Sequence, residues 1–218
     1  LVGMDEHLEI LTDRTLTFLS YPARSRPFLV TVLMGPPGTG KNRVAEDTAR
    51  ILNGNISQPY SIINFRALRD REALLPTRIT ELVNQINALR RSPASVRTLV
   101  LDEVHADPEL LTALLPALGD SDRAAALGLD LTGLDIKLLM NIDRDSAAYQ
   151  EILRLSPRDL AYSRAARRLF VDSIYSASRV EERAGRATLE ALASRLADSF
   201  FVFRPPQPQE ERQGREFV

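Results

Sequence analysis

The chain has 218 residues, 44% of them hydrophobic and 26% charged, which supports the core of one large domain and excludes a disordered segment. It has no cysteine, so disulfides, thiolate metal sites and cysteine nucleophiles are excluded and any metal falls to oxygen ligands. Twenty-eight basic residues meet 29 acidic ones for a net charge of −1, so no global positive field advertises nucleic acid or an acidic membrane as a partner. Only Lys41 and Lys137 are lysines among those cations, which makes their placement worth following.

In chain order, Leu8, Leu11, Thr15, Leu16 and Leu19 recur at helical spacing and predict a helix over 5–19, stopped by Tyr21-Pro22. Residues 28–34 form an apolar, β-rich run that ends at glycine, as a strand buried on both faces should. A helix over 42–52 follows, with Val44, Ala45, Ala49 and Leu52 on one face and Asn53-Gly54-Asn55 as its stop. Four more apolar strands are predicted at 61–65, 98–101, 136–140 and 200–203. Helices are predicted between them at 74–89 and 109–118, and two or three more over the arginine-rich 147–193. This alternation predicts an α/β fold, a five-stranded parallel sheet flanked by helices. Residues 1–204 read as one nucleotide-binding unit, and 205–218, opening on Pro205, Pro206 and Pro208, as a linker out of it. No run of about 18 apolar residues crosses a membrane. The opening Leu1-Val2-Gly3-Met4-Asp5 lacks an initiator methionine and a signal pattern and reads as a cut start. The compartment is therefore left open, with the cytoplasm slightly favoured.

Gly35-Pro36-Pro37-Gly38-Thr39-Gly40-Lys41 follows a predicted strand and opens a predicted helix, the context a phosphate-binding loop requires. Its glycines let the backbone turn N–H groups inward, the helix start favours anions, and Lys41 reaches β- and γ-phosphates as a point charge. The following position normally carries a serine or threonine hydroxyl that ligates Mg²⁺; here it is Asn42. An amide oxygen still suits magnesium but shifts the ion, so detuned metal binding is expected, with an inactive copy as the alternative. Thr98-Leu99-Val100-Leu101-Asp102-Glu103 is an apolar strand ending in two acids. Asp102 is placed in the Mg²⁺ shell and Glu103 as the base that activates water. Asn141, at the end of the next strand, falls on the same sheet edge and is placed at the attacking water or γ-phosphate, or else caps a turn. His7 and His105 are too few for a metal cluster and read as surface residues.

On these residues the chain resembles an AAA+ ATPase module, with the Clp/torsin branch as its nearest likeness. Leu1-Val2-Gly3-Met4-Asp5-Glu6 resembles that branch's opening segment, which implies adenine contact at Val2 and Gly3. Asn42 after the lysine is similar to torsins. Ser194-Arg195-Leu196-Ala197-Asp198 before the last strand resembles a Clp pattern, which implies that Arg195 is an arginine finger. The resemblance implies ATP and Mg²⁺ as ligands, a homo-oligomeric ring (a hexamer) and a protein substrate or activator; no nucleic acid is expected. Two departures qualify it. From Arg66 to Arg97 there is neither glycine nor aromatic, so the Clp pore loop that grips polypeptide is absent, and an amphipathic helix bearing Leu75, Ile79, Leu82, Val83, Ile86 and Leu89 stands there. Torsins lack an arginine finger, whereas this chain keeps the matching arginine. The family's small helical lid is expected to be missing after Pro208. The leading expectation is an ATPase that remodels a protein partner, and the first rival is a weakly hydrolysing scaffold or switch. A helicase, spelled by Asp102-Glu103-Val104-His105, is the remote rival, since no basic and aromatic strip for single strands accompanies it.

Overall fold

The computed structural model describes residues 5–20, 28–53, 60–89, 97–155, 164–178, 189–191, 193–194 and 199–204. After α1 (Asp5–Ser20), strand β1 (Leu29–Gly35) leads through the glycine-rich loop into α2 (Lys41–Asn53). The chain then runs β2 (Tyr60–Asn64), α3 (Phe65–Arg69), α4 (Leu75–Leu89) and β3 (Arg97–Asp102). A 3-10 turn (Val104–Ala106), α5 (Pro108–Gly119) and α6 (Ser121–Ala126) precede β4 (Leu134–Asn141). Helices α7 (Ala147–Ile152) and α8 (Arg164–Ser178) come before β5 (Ser199–Val202).

The five strands form one sheet in the order β2-β3-β4-β1-β5, and every neighbouring pair is parallel. All seven residues of β1 are buried, as its uninterrupted apolar run requires of a central strand covered on both sides. Alternation then sorts the side chains into two layers. Val30, Val32 and Met34 join Leu99, Leu101, Ile136, Leu138 and Phe200 in the larger core, beneath α4, α5, α7 and α8. Leu33, Val100, Leu139 and Phe201 face the opposite way and meet Leu11 of α1 and Val44 and Ala45 of α2. The stripe expected on α4 lies on the larger core, with Leu82, Ile86 and Leu89 buried and Leu75, Ile79 and Val83 half-buried against them. Lys137, the second lysine, is wholly buried in β4, its Nζ 2.7 Å from Asp135 Oδ1.

Two local readings are corrected. Phe65 does not continue β2: Asn64 accepts the Ala67 N–H at 3.0 Å, and this cap turns Phe65 into the first residue of α3. The apolar character that favoured a strand reflects burial in the core, since Phe65 is fully covered. The short α6 escaped prediction because its alanine-rich text has no apolar stripe; Asp120 starts it by accepting the N–H groups of Asp122 and Arg123.

Candidate functional site

Register brings the expected polar residues to one edge. Gly35 pairs with Asn141 across β1 and β4, and Asn64 pairs with Asp102 across β2 and β3, so these strand ends share the carboxyl edge of a parallel sheet. Gly35 is required by a close approach: a Cβ there would lie 2.8 Å from the Phe203 carbonyl oxygen. That carbonyl cannot easily retreat. The Phe203 N–H donates to Met34 O at 2.7 Å, and the Tyr149 hydroxyl donates to Phe203 O at 2.6 Å. Burial pushes the Tyr149 hydroxyl up to about 12, so it remains a donor at any ordinary pH. Gly38 has φ +78°, which an L side chain adopts only with strain. Pro36 and Thr39 brace the loop from behind, through a 2.8 Å bond from Thr39 Oγ1 to Pro36 O.

Lys41 opens α2 and is only 5% exposed. Its Nζ donates to Gly35 O and Pro36 O, both at 2.8 Å, so the ammonium folds back onto the loop. Burial pulls Lys41 down to about 8, while Asp102 pulls it the other way. The N–H groups of the first turn of α2 have no acceptor within the helix and present a partial positive charge beside the ammonium.

Both oxygens of Asp102 are engaged. Oδ1 accepts the Glu103 N–H at 2.8 Å and Oδ2 accepts Asn42 Nδ2 at 2.9 Å. Glu103 sits in the left-handed region at φ 51°, a conformation that costs a non-glycine residue about 1–3 kcal/mol and recurs at functional sites. Its Oε2 accepts from Arg66 Nε at 3.0 Å and Asn64 Nδ2 at 3.2 Å. Asn64 thus caps α3 with its oxygen and holds Glu103 with its nitrogen. Arg69 adds a 2.8 Å bond to Ala106 O, which fastens α3 to the turn that follows Glu103.

His105 is not a bare surface residue: it is half-buried, and its Nδ1 accepts the Asn141 N–H at 3.3 Å. Burial lowers its pKa, with Glu103 opposing, which favours the neutral acceptor form. Gly38, Lys41, Asn42, Asp102, Glu103 and Asn141 line an open cleft of about 440 Å³ that Pro37, Gly40 and Arg43 complete. Val2, Gly3 and Arg195 lie outside the described residues, as do 205–218. Sequence reading missed Asn64, Arg66 and Arg69. An asparagine ending a strand just before a helical stretch was the one available signal, and the two arginines had none among 24 others.

Asn42 and Asp102, the expected magnesium ligands, do not fit that role in their present arrangement. They are bonded to each other, and it is the amide nitrogen, which cannot ligate a cation, that faces Asp102. Among the described residues no group of three or more His, Asp or Glu gathers to hold a metal.

The sheet order, the loop and the polar edge together are those of an α/β P-loop domain. Residues 31–134 match the family described as "AAA domain (dynein-related subfamily)". The fold, a five-stranded parallel sheet flanked by helices, is consistent with an AAA+ P-loop domain. Solved structures agree at the level of fold. An ORC2 protein of Aeropyrum pernix in ADPNP–ADP complexes matches with TM-score 0.53 and 14% identity, over 99% of this chain and 51% of that one. A Cdc6p from Pyrobaculum aerophilum matches with TM-score 0.52 and 14% identity, over 96% of this chain and 47% of that one. The chain therefore spans about half the length of these structures. No curated protein matches the sequence.

Proposed function

We propose that the chain is an AAA+ module that binds ATP at Gly35 to Asn42 and hydrolyses it, driving the remodelling of a protein partner. The observation that carries the reading is the convergence of Lys41, Asp102, Glu103 and Asn141 on one cleft at the carboxyl edge of the sheet. The complexes named for the Aeropyrum pernix protein support a nucleotide as ligand of this fold.

In this reading Lys41 exchanges its two loop carbonyls for phosphate oxygens, and the first-turn amides of α2 share the charge. Glu103 takes the proton of a water held near Asn141. The water oxygen then bonds to the γ-phosphorus as the bond from phosphorus to the ADP oxygen breaks and ADP leaves with the electron pair. Asn64 and Arg66 hold Glu103 on the α3 side of the cleft, so hydrolysis depends on that carboxylate turning towards the water. The Arg66 contact is more than half exposed at the arginine and contributes at most about 1 kcal/mol, which keeps the release within reach of a partner that docks near α3. Arg195, by its resemblance to an arginine finger, acts on the nucleotide of a neighbouring subunit in a ring, and Val2 and Gly3 meet adenine. The Clp/torsin likeness supports remodelling without an aromatic pore loop.

A weakly hydrolysing nucleotide switch is the second reading. It is favoured by the Asn42–Asp102 bond and by the double hold on Glu103. Nucleotide binding and steady-state turnover of two variants test the assignment. Lys41→Ala should weaken ATP binding, and Glu103→Gln should keep binding while losing turnover. Equal loss of binding in both overturns the assigned roles, and wild-type binding with no turnover under any partner condition favours the switch.

A further inference from the structure

The amide at position 42 has a chemical consequence that a hydroxyl there would not. An ionised carboxylate only accepts hydrogen bonds, so the group 2.9 Å from Asp102 Oδ2 has to be the NH₂ of Asn42, and the amide orientation is fixed by its partner. A serine or threonine oxygen can donate its hydrogen to the acid and offer a lone pair to a cation from the same atom. An amide divides these two tasks. Its nitrogen donates and has no lone pair for a metal, while its oxygen lies on the other branch. Asn42 can therefore serve Asp102 or ligate a cation, but not both. Turning the oxygen inward would break a charge-assisted bond and set two acceptors, Asn42 Oδ1 and Asp102 Oδ2, against each other.

The neighbouring groups favour the first arrangement. Asp102 is satisfied without a metal, because Glu103 N–H holds Oδ1 and Asn42 holds Oδ2. One N–H of the Asn42 amide is spent on Asp102, and the second remains to donate to an anion in the cleft that Asn42 lines with Lys41. The buried ammonium and the α2 N-terminus supply the positive charge, the amide masks the Asp102 carboxylate, and Glu103, the other carboxylate lining the cleft, is paired with Arg66.

We propose that this site takes a nucleoside diphosphate or triphosphate free of divalent cation, with the Asn42 amide standing between Asp102 and the phosphates in place of a metal. The inference deepens the nucleotide-site reading above and rests on it. The probe is N-methylanthraniloyl-ADP, titrated with the full chain and read by fluorescence anisotropy, once in excess EDTA and once in saturating magnesium chloride. The wild-type Kd should differ by less than about threefold between the two conditions. Asn42→Thr restores an oxygen able to serve acid and cation together, so magnesium should tighten its Kd by at least about tenfold. Position 42 is exposed on the surface of α2, so the fold should survive; circular dichroism checks this, and Asn42→Ser supplies the same hydroxyl if threonine fails. A wild type that binds the probe only with magnesium overturns the inference and leaves the nucleotide reading intact. An Asn42→Thr variant that binds equally well in both conditions overturns the role given to Asn42. Probe binding in neither condition, with Lys41→Ala indistinguishable from wild type, overturns the nucleotide reading and the inference together.

Discussion

The ion pair of Asp135 and Lys137 supplies the sharpest stability prediction, because removing one partner and removing both should have opposite consequences. The two residues lie on the same face of β4, 1% and 0% exposed, with 2.7 Å between Asp135 Oδ1 and Lys137 Nζ. In the sheet, Asp135 is flanked by Leu29 and Thr98, and Lys137 by Thr31 and Val100. The only further polar approach to the acid is a 3.5 Å contact from Thr98 Oγ1 to Oδ2 among the described residues. The 2.7 Å contact does not have hydrogen-bond alignment at Nζ, so each charge depends on the other. Lys137→Met leaves a buried carboxylate with no counter-charge and should cost about 3–5 kcal/mol. Against a domain stability of about 5–15 kcal/mol, that is a large fraction. Asp135→Leu leaves a buried ammonium and should cost a similar amount. The double variant removes both desolvation costs and should recover to near wild type or gain about 1–4 kcal/mol. Urea unfolding of all four proteins, followed by circular dichroism, measures the cycle. A Lys137→Met loss below about 1 kcal/mol, or a double variant as weak as the two singles added together, refutes the argument.

Three further outcomes follow from the site and its supports. Lys41 loses its charge through about 8 in the free protein, whereas bound phosphate favours the ammonium, so binding takes up a proton as pH rises past 8 and affinity falls by up to about tenfold per unit; calorimetry in buffers of different ionisation heat reads that proton, and affinity unchanged from about pH 7 to 9 refutes it. Arg78 joins α4 to α5 through Asp107 at 2.9 Å, 3% exposed, and through Glu109, 65% exposed; Arg78→Ala should cost about 3 kcal/mol by stranding Asp107 and Glu109→Ala less than about 1 kcal/mol, as read by chemical denaturation. If Arg195 acts in trans, mixing Arg195→Ala with Lys41→Ala subunits should recover turnover that each lacks alone, and Arg195→Ala turnover equal to wild type returns the residue to a salt-bridge role.

The strands were legible because each holds a short apolar run near a turn signal; burial on both faces accounts for that run in β1 and β4, whereas β2 buries only Ile63. Gly35 to Lys41 was legible because the loop chemistry needs particular residue types at fixed spacing. Asp102, Glu103 and Asn141 followed from their positions at strand ends, since parallel topology gathers those ends at one edge. What stayed hidden depends on pairing between distant segments. Nothing local marks Arg66 as the partner of Glu103, because their contact follows from β2 lying beside β3. His105 reads as polar text near a strand end, and only the β3–β4 neighbourhood sets its Nδ1 against the Asn141 N–H. Lys137 stood out as scarce, but its burial follows from alternation along β4, which turns positions 135 and 137 towards the α1 and α2 layer.

Each reactive group in the cleft is held by a bond inside the protein, and these bonds fall into two separate sets. Lys41 is held by loop carbonyls and Asn42 by Asp102, all on the α2 side, whereas Glu103 is held by Asn64 and Arg66 on the α3 side. A phosphate arriving at the loop exchanges the first set directly, because it offers better acceptors to Lys41. It gives the second set no new partner, since it competes for neither Asn64 nor Arg66. If the proposed roles hold, nucleotide binding and hydrolysis are therefore separable in this chain. Arg66→Ala should leave nucleotide affinity within about twofold while changing turnover. Affinity and turnover that move together would mean the two sets are coupled through the adjacent Asp102 and Glu103, where the Glu103 N–H donates to Asp102 Oδ1, and through the strand pairing of Asn64 with Asp102.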